Sequence, residues 1–483
     1  MGTLAIKVVD KRTGETVEAR VQVLASSGMF LYPTDAILKV GPGLPFFYCD
    51  GEFSVNAPAG LTRVLVERGT EYVSITVDVD MPSTGTVALD VALDRWAAPG
   101  DRGWHPGNTH IHYDEHEAHP DERLRLDPRV EDLRVTAISI LRRWDLAYAS
   151  NKYPPGVLTD VCSAHHHVEC GEESRHNAPG GFGETGYGHI MLLRINEVVE
   201  PVSRGYLVDD VDPDYPPLCY ACDDAHRQGG IVIWCHNGNG MEAPVAAALG
   251  KLDAFNLFDP YWKDPEYRIW YDMLNCGFRL PASTGSDWFI CSANRVYVDT
   301  AGPFTYDEWI SGLQGGRTFI SNGPLLYLTA AGAAPGTTLE VDPGAVVPVR
   351  VAWESHYAVD RVEIVWNGRV VAQRECEPGS TAGVLEADVA VPSDGWIGAR
   401  LGSTTRDSFF QPIYAHTSPV YVRAGRVPDE RLSAASRFSD AIERSLDWVS
   451  YKAKFYSRAQ RQEVSDLFRQ GQEMYRRLGS SSR

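Results

Sequence analysis

Twelve of the fourteen histidines in this chain fall between His105 and His236. Histidines without a shared task would scatter, so a fold for this sequence must gather one middle region around a single site. That region opens on Asn108-Thr109-His110-Ile111-His112. Alternate side chains of a strand share a face, so His110 and His112 project to the same side from one rigid backbone. Two neutral imidazoles so placed begin a site for a zinc-like divalent ion.

The 483 residues suffice for about three domains of the usual ~100–200 residues. Residues 1–97 read as a β-sandwich, because short alternating runs (5–9, 20–24, 62–66, 73–77) are separated by Gly-, Pro- and Asp-rich turns. Residues 103–323 alternate helical patterns (218–228, 241–249) with short apolar runs (133–141, 230–235) that suggest strands covered on both faces. That alternation predicts an α/β region with a parallel sheet, open or closed into a barrel, and an active site at the C-terminal ends of its strands. Residues 324–425 read as a second β-sandwich. Residues 428–478 read as a helical tail, with Leu432, Phe438, Ile442, Leu446 and Val449 at three- and four-residue steps.

A net charge of −19 argues against nucleic acid, which demands a basic surface, and against anionic membranes. No run of about 18 apolar residues is present, so no membrane span is expected. The opening residues read as strand, turn and strand rather than a signal peptide. Nine irregularly spaced cysteines suit reduced thiols in the cytoplasm. Cys219 and Cys222 form a lone C-x-x-C without the second pair a structural zinc site needs. The expected partner is a small-molecule substrate, with homo-oligomerisation left open.

Four further pieces join the His-x-His pair: the acidic turn with Glu169, Glu172 and Glu173; Gly188-His189; His236 after a strand; and Gly285-Ser286-Asp287. Each alone has a plain explanation, such as a satisfied core histidine at His189 or a helix cap at Asp287. Together they offer the mixed nitrogen and oxygen donors that suit zinc, manganese or iron. A bridging carboxylate would let such a site hold two ions. Residues 165–167, three consecutive histidines, cannot all face one site and read as a polar loop near its mouth. His116 and His119 read as solvated.

These pieces, in this order, resemble the PHP-type metallohydrolases, and more narrowly the carbaryl-hydrolase (CehA/McbA) family. The matching segments are Gly107 to His112, Gly171-Glu172-Glu173, Gly188-His189, His236, Gly285-Ser286-Asp287, Arg295-Val296-Tyr297 and residues 316–324. The likeness spans about residues 100–330. It implies a distorted PHP-type β/α-barrel core, flanked here by the two β-sandwiches and the tail. Two departures stand out. The Thr-Asp-His that helps hold a third metal in wider PHP members is replaced at 137–142 by a stretch without ligands, which implies one or two ions. Trp288 stands where a histidine usually follows the aspartate.

The resulting expectation is a metal-dependent hydrolase in which a metal-activated water cleaves an ester, carbamate or amide bond. His110, His112, Glu173, His189, His236 and Asp287 are the expected ligands of one or two zinc or manganese ions, with iron the other option. Glu169 and Glu172 compete with Glu173. Asp287 would also orient or deprotonate the water. Arg142, Arg295 or Arg175 would hold a substrate anion or the developing oxyanion. Trp234, Trp262, Trp288 and Tyr261 are candidates for an aromatic pocket. The alternatives are a metal-dependent phosphoesterase, for which Arg143 also stands available, and a non-catalytic metal- or carbohydrate-binding protein.

Overall fold

A computed structural model describes residues 1–142, 147–178, 186–203, 213–236, 240–261 and 264–480. Strict alternation along Gly2–Asp10 buries Leu4, Ile6 and Val8 on one face. This strand lies between Glu52–Ala57 and Thr86–Arg95. A second sheet, built on Ala19–Leu24, Gly60–Glu67 and Ile75–Met81, turns Val21, Val23, Val64 and Val66 into the same core. Two amphipathic sheets bury their apolar faces against each other, as in other sandwiches.

The middle of the chain corrects the expected α/β barrel. Among the described residues strands make up 39% and helices 22%, so β structure dominates instead of alternating with helices. The strand Trp104–His112 runs parallel to Val135–Leu141, which runs parallel to His167–His176. The next two pairings, to Gly188–Leu193 and then Ile231–Trp234, are antiparallel. The other edge of Trp104–His112 pairs antiparallel with Arg295–Asp299. The sheet then continues through Thr318–Ser321, Pro412–Thr417 and Gly395–Arg406 to Arg361–Trp366. A curled, mixed sheet thus joins the histidine-rich region to the C-terminal β structure.

The apolar strands resemble those of a barrel for a physical reason. Val135–Leu141 and Ile231–Trp234 are buried throughout, which is the signature of strands covered on both faces. Part of that cover comes from the C-terminal helices Asp429–Tyr451 and Arg458–Ser480 rather than from a regular series of crossover helices. Phe438, Ile442, Val449, Val464 and Phe468 share one core cluster with Val232, Ile233 and Trp234. Among the described residues, no helix is long and apolar enough to cross a membrane.

Buried charge ties the N-terminal sandwich to this sheet. Glu131, just after the helix Pro120–Val130, is fully buried and pairs with both Arg20 and Arg295. Burial disfavours the Arg20 charge, yet Glu131 and Glu67 outweigh it and keep the guanidinium cationic. Removing one member of a buried ionic group leaves the others uncompensated, at a cost of about 3–5 kcal/mol. Glu131→Gln should therefore lower unfolding stability by about 3 kcal/mol, read as an earlier midpoint in urea. An unchanged midpoint would show that Arg20 and Arg295 do not depend on it.

Candidate metal centre

The strand Trp104–His112 delivers both imidazoles to the inner face, and the next strands bring carboxylates to them. In the parallel pairing Leu141 lies opposite Glu173. In the antiparallel pairing Arg175 lies opposite His189. His236 follows two residues after Ile231–Trp234. Asp287 arrives beside Ile111 on a short parallel strand. The glycine of Gly-Ser-Asp has a steric reason: a Cβ on Gly285 would lie 2.4 Å from the His110 Cβ. Asp287 itself takes a left-handed φ of 58°, a conformation Asp tolerates better than most residues.

Glu173 lies at the middle of the arrangement. Its Oε2 is 2.9 Å from His112 Nε2 and 3.8 Å from His110 Nε2. Its Oε1 is 3.0 Å from His189 Nδ1 and 3.7 Å from His236 Nε2. Two groups able to hold a metal ion result, His110–His112–Glu173 and Glu173–His189–His236, each with ligand atoms within 4.8 Å of one another. They share one carboxylate. Asp287 Oδ1 stands 3.5 Å from His110 Nε2.

The outward nitrogens fix the tautomers. His110 Nδ1 is 2.7 Å from Asp259 Oδ2, and His112 Nδ1 is 2.9 Å from the Ser139 carbonyl oxygen. Both partners only accept, so each Nδ1 carries its proton. The two Nε2 atoms then face each other across 3.0 Å, close enough to share a proton or a cation. At His189 the roles invert, because Nε2 donates to Asn177 Oδ1 at 2.6 Å and Nδ1 turns inward. Such outer partners are how metal-binding histidines are usually oriented.

The donor set fits a cation on a second ground. Both Glu173 oxygens are buried without a hydrogen bond, although four imidazole nitrogens lie within 3.8 Å. Buried carboxylates normally have hydrogen-bond partners. Lone pairs converging on one carboxylate without proper hydrogen bonds are what ligands of a shared cation look like. In the metal-free protein a proton is the substitute. Burial opposes charge on His110, but Asp259 and Asp287 outweigh it and hold the imidazole well above its usual pKa. Burial likewise opposes charge on His236, and Glu173 and Asp287 outweigh it. Burial pushes His189 down to about 4, leaving it neutral. Burial resists the charge on Glu173, yet Arg175 and the surrounding imidazoles hold its carboxyl well below the usual range.

Other expected residues lie elsewhere. Of the three competing glutamates, Glu172 faces away to Arg142 and the Val199 N–H. Glu169 is buried away from both groups, with burial pushing it up to about 7. Arg142 is bound to Glu172, Glu200 and the Val199 carbonyl. Arg295 is bound beneath the sheet to Glu131 and the Ala293 carbonyl. Both guanidinium groups are therefore spent on structural partners, which corrects their expected catalytic placement; Arg175 alone of the three stands beside Glu173.

The histidines at 165–167 are not at the mouth. His167 pairs with Val135, six residues from the Leu141–Glu173 pair, roughly 20 Å away at strand spacing. Trp234 is a fully buried core residue. Trp288 packs 5.3 Å from His112, with Tyr148 at 5.3 Å on it, and so walls the site. Tyr261 donates to Cys291 Sγ at 3.7 Å. Trp262 and Arg143 lie outside the described residues. Cys219 and Cys222 are buried in the helix Leu218–Arg227, and burial pushes both thiols up. Asp259, Asn177 and the Ser139 carbonyl were missed by sequence reasoning. Of these, Asp259 had a signal, a carboxylate three residues beyond the buried strand Ala254–Asn256.

No protein-family model matches the chain, and no curated protein matches it. Among solved structures, the apo form of Bacteroides uniformis beta-glucuronidase 3 is similar at 10% identity and a TM-score of 0.17, over 88% of this chain. The chain spans 64% of the length of that structure. A likeness at that score carries no argument about fold or function.

Two outcomes follow from the geometry. Asp259→Ala should weaken zinc binding about 10–100-fold, measured by chelator competition, because His110 loses its orienting carboxylate. Unchanged affinity would remove Asp259 from the site. A cation must also displace protons from His110 and His236, both held above the usual value of 6.5. Affinity should therefore rise as pH rises through and above the usual imidazole value of 6.5, with proton release on binding. His189, neutral down to about 4, adds no competition in that window. A pH-independent affinity would contradict this ligand assignment.

Proposed function

We propose that the chain is a metal-dependent hydrolase acting on an ester, carbamate or amide bond of a small molecule. The observation that carries the reading is the buried Glu173 carboxylate, set without hydrogen bonds between two histidine pairs. One or two divalent ions, zinc or manganese before iron, suit these donors. When bound, such an ion supplies Lewis acidity, polarising a carbonyl or phosphoryl oxygen and lowering the pKa of water. The ordered resemblance of these segments to carbaryl-hydrolase-like PHP metallohydrolases supports the same reading.

In this proposal Asp259, Ser139 and Asn177 hold the imidazoles in their working tautomers. Asp287, 17% exposed at its side chain and 3.5 Å from His110 Nε2, is the group placed to orient water or accept its proton. Trp288 and Tyr148 shield one side from solvent. A metal-dependent phosphoesterase is the second reading, favoured by Arg175 beside Glu173.

Elemental analysis of purified protein, paired with hydrolysis of aryl acetate, aryl carbamate and aryl phosphate before and after chelation, tests both. One or two metals per chain with chelator-sensitive turnover is expected, and the preferred ester chooses the bond. His110→Ala and His236→Ala should lose metal and turnover while the β structure stays folded by circular dichroism. Full activity with normal metal content in either variant would overturn the assignment. Metal loading with no turnover would leave a binding protein.

A further inference from the structure

The three arginines considered for this site differ in one respect. Arg142 and Arg295 have all-protein partners. The Arg175 side chain makes no hydrogen bond among the described residues, and its buried Nε is unpartnered. Its side chain is only 13% exposed, and among the described residues the carboxylate beside it is that of Glu173, whose Oε2 lies 3.9 Å from Nη1 and beyond hydrogen-bond reach. A guanidinium is always charged, with five N–H donors and nothing to accept. Leaving such donors unmatched in a largely buried place is costly, and each such group asks for an explanation.

Geometry narrows what the explanation is. Arg175 is two residues along the strand from Glu173, on the same face, and directly opposite His189. In the metal-free protein Glu173 balances its charge from 3.9 Å. Once Glu173 ligates a cation, that negative charge is shared with the ion, and the guanidinium lacks a counter-charge. Among the described residues no other anion stands there, and an anion carried by the substrate, beside the reacting atoms, would supply that partner.

We infer that Arg175 is the substrate-anion residue of this site. It takes an oxyanion group, carboxylate or phosphoryl, that the substrate carries next to the scissile bond. Arginine suits both, since its fork donates two parallel bonds to either group. This inference rests on the hydrolase reading for the identity of the substrate, though not for the existence of an anion site.

The test compares wild type, Arg175→Met and Arg175→Lys. Metal content is measured first. Calorimetry then follows inorganic phosphate and acetate binding, to metal-loaded and to metal-free protein. Steady-state kinetics follows p-nitrophenyl acetate, p-nitrophenyl hydrogen succinate and p-nitrophenyl phosphate. Arg175→Met should keep its metal, bind the oxyanion about ten- to a hundredfold more weakly, and raise KM for the anionic esters by a larger factor than for the neutral one. Arg175→Lys should fall between. Stronger binding and faster turnover with phosphate mark a phosphoryl group, and the reverse marks a carboxylate. Two results overturn the inference: unchanged anion binding in Arg175→Met, or loss of metal, which would make Arg175 a support for Glu173. If wild type holds no metal and turns over no ester, the hydrolase reading falls by itself. Phosphate binding to the metal-free protein then decides the anion site, upheld if Arg175→Met weakens it and overturned if not.

Discussion

A single buried carboxylate sets the terms for the rest of this structure. Glu173 is 1% exposed at its side chain, carries a charge, and has no hydrogen bond. An isolated carboxylate in such a place would protonate or drive the chain open. It stays ionised because the Arg175 guanidinium and the protonated His110 and His236 imidazoles stand around it, on three separate strands or strand ends. The fold must hold those elements in register before the charge is tolerable. The site and the sheet therefore specify each other.

The sheet meets that demand through the pairing of neighbouring strands. Period-two alternation places His110 with His112 and Glu173 with Arg175, and cross-strand register places Arg175 against His189. A slip of one residue in any of these strands would turn its ligand to the opposite face. Partners outside the site then remove the remaining freedom, since Asp259, the Ser139 carbonyl and Asn177 each hold one imidazole nitrogen. Burial and these outer partners also separate the titrations of the imidazoles. His189 is neutral while His110 and His236 retain protons.

The candidate ligands were legible in the sequence because they lie in short motifs whose local geometry is forced. His-x-His on a strand has one outcome, and Gly285 is required wherever the chain passes against His110. The choice among Glu169, Glu172 and Glu173 was not legible, because it depends on strand register. The barrel expectation failed for a related reason. Apolar runs such as 133–141 report that a strand is covered but not by what, and here the cover includes a helical pair from the far end of the chain. Arg142 and Arg295 looked available because sequence does not show that Glu172 and Glu131 already hold them. Asp259 lies 149 residues from His110; its place just beyond a buried strand marks it as a candidate, but that separation hides which imidazole it holds.

The strand His167–His176 shows how the two faces cooperate. Its odd residues Glu173 and Arg175 face the site, and its even residues Glu172 and His176 face away. Glu172 accepts from Arg142 and the Val199 N–H. His176 accepts the Tyr187 N–H at Nδ1 and meets Asp214 at 3.0 Å through Nε2. Asp214 in turn exchanges backbone and side-chain hydrogen bonds with Lys454, in the turn between the two tail helices. His176 thus links the strand to the tail and Glu172 ties it to Arg142 and Val199, while the inward residues meet the charges of the site. A strand fastened on one face can hold an unpaired charge on the other, because shifting to relieve it would break the outer bonds. That coupling explains how a chain with few crossover helices keeps Glu173 and Arg175 in place: the tail supplies rigidity that an α/β barrel draws from its helices.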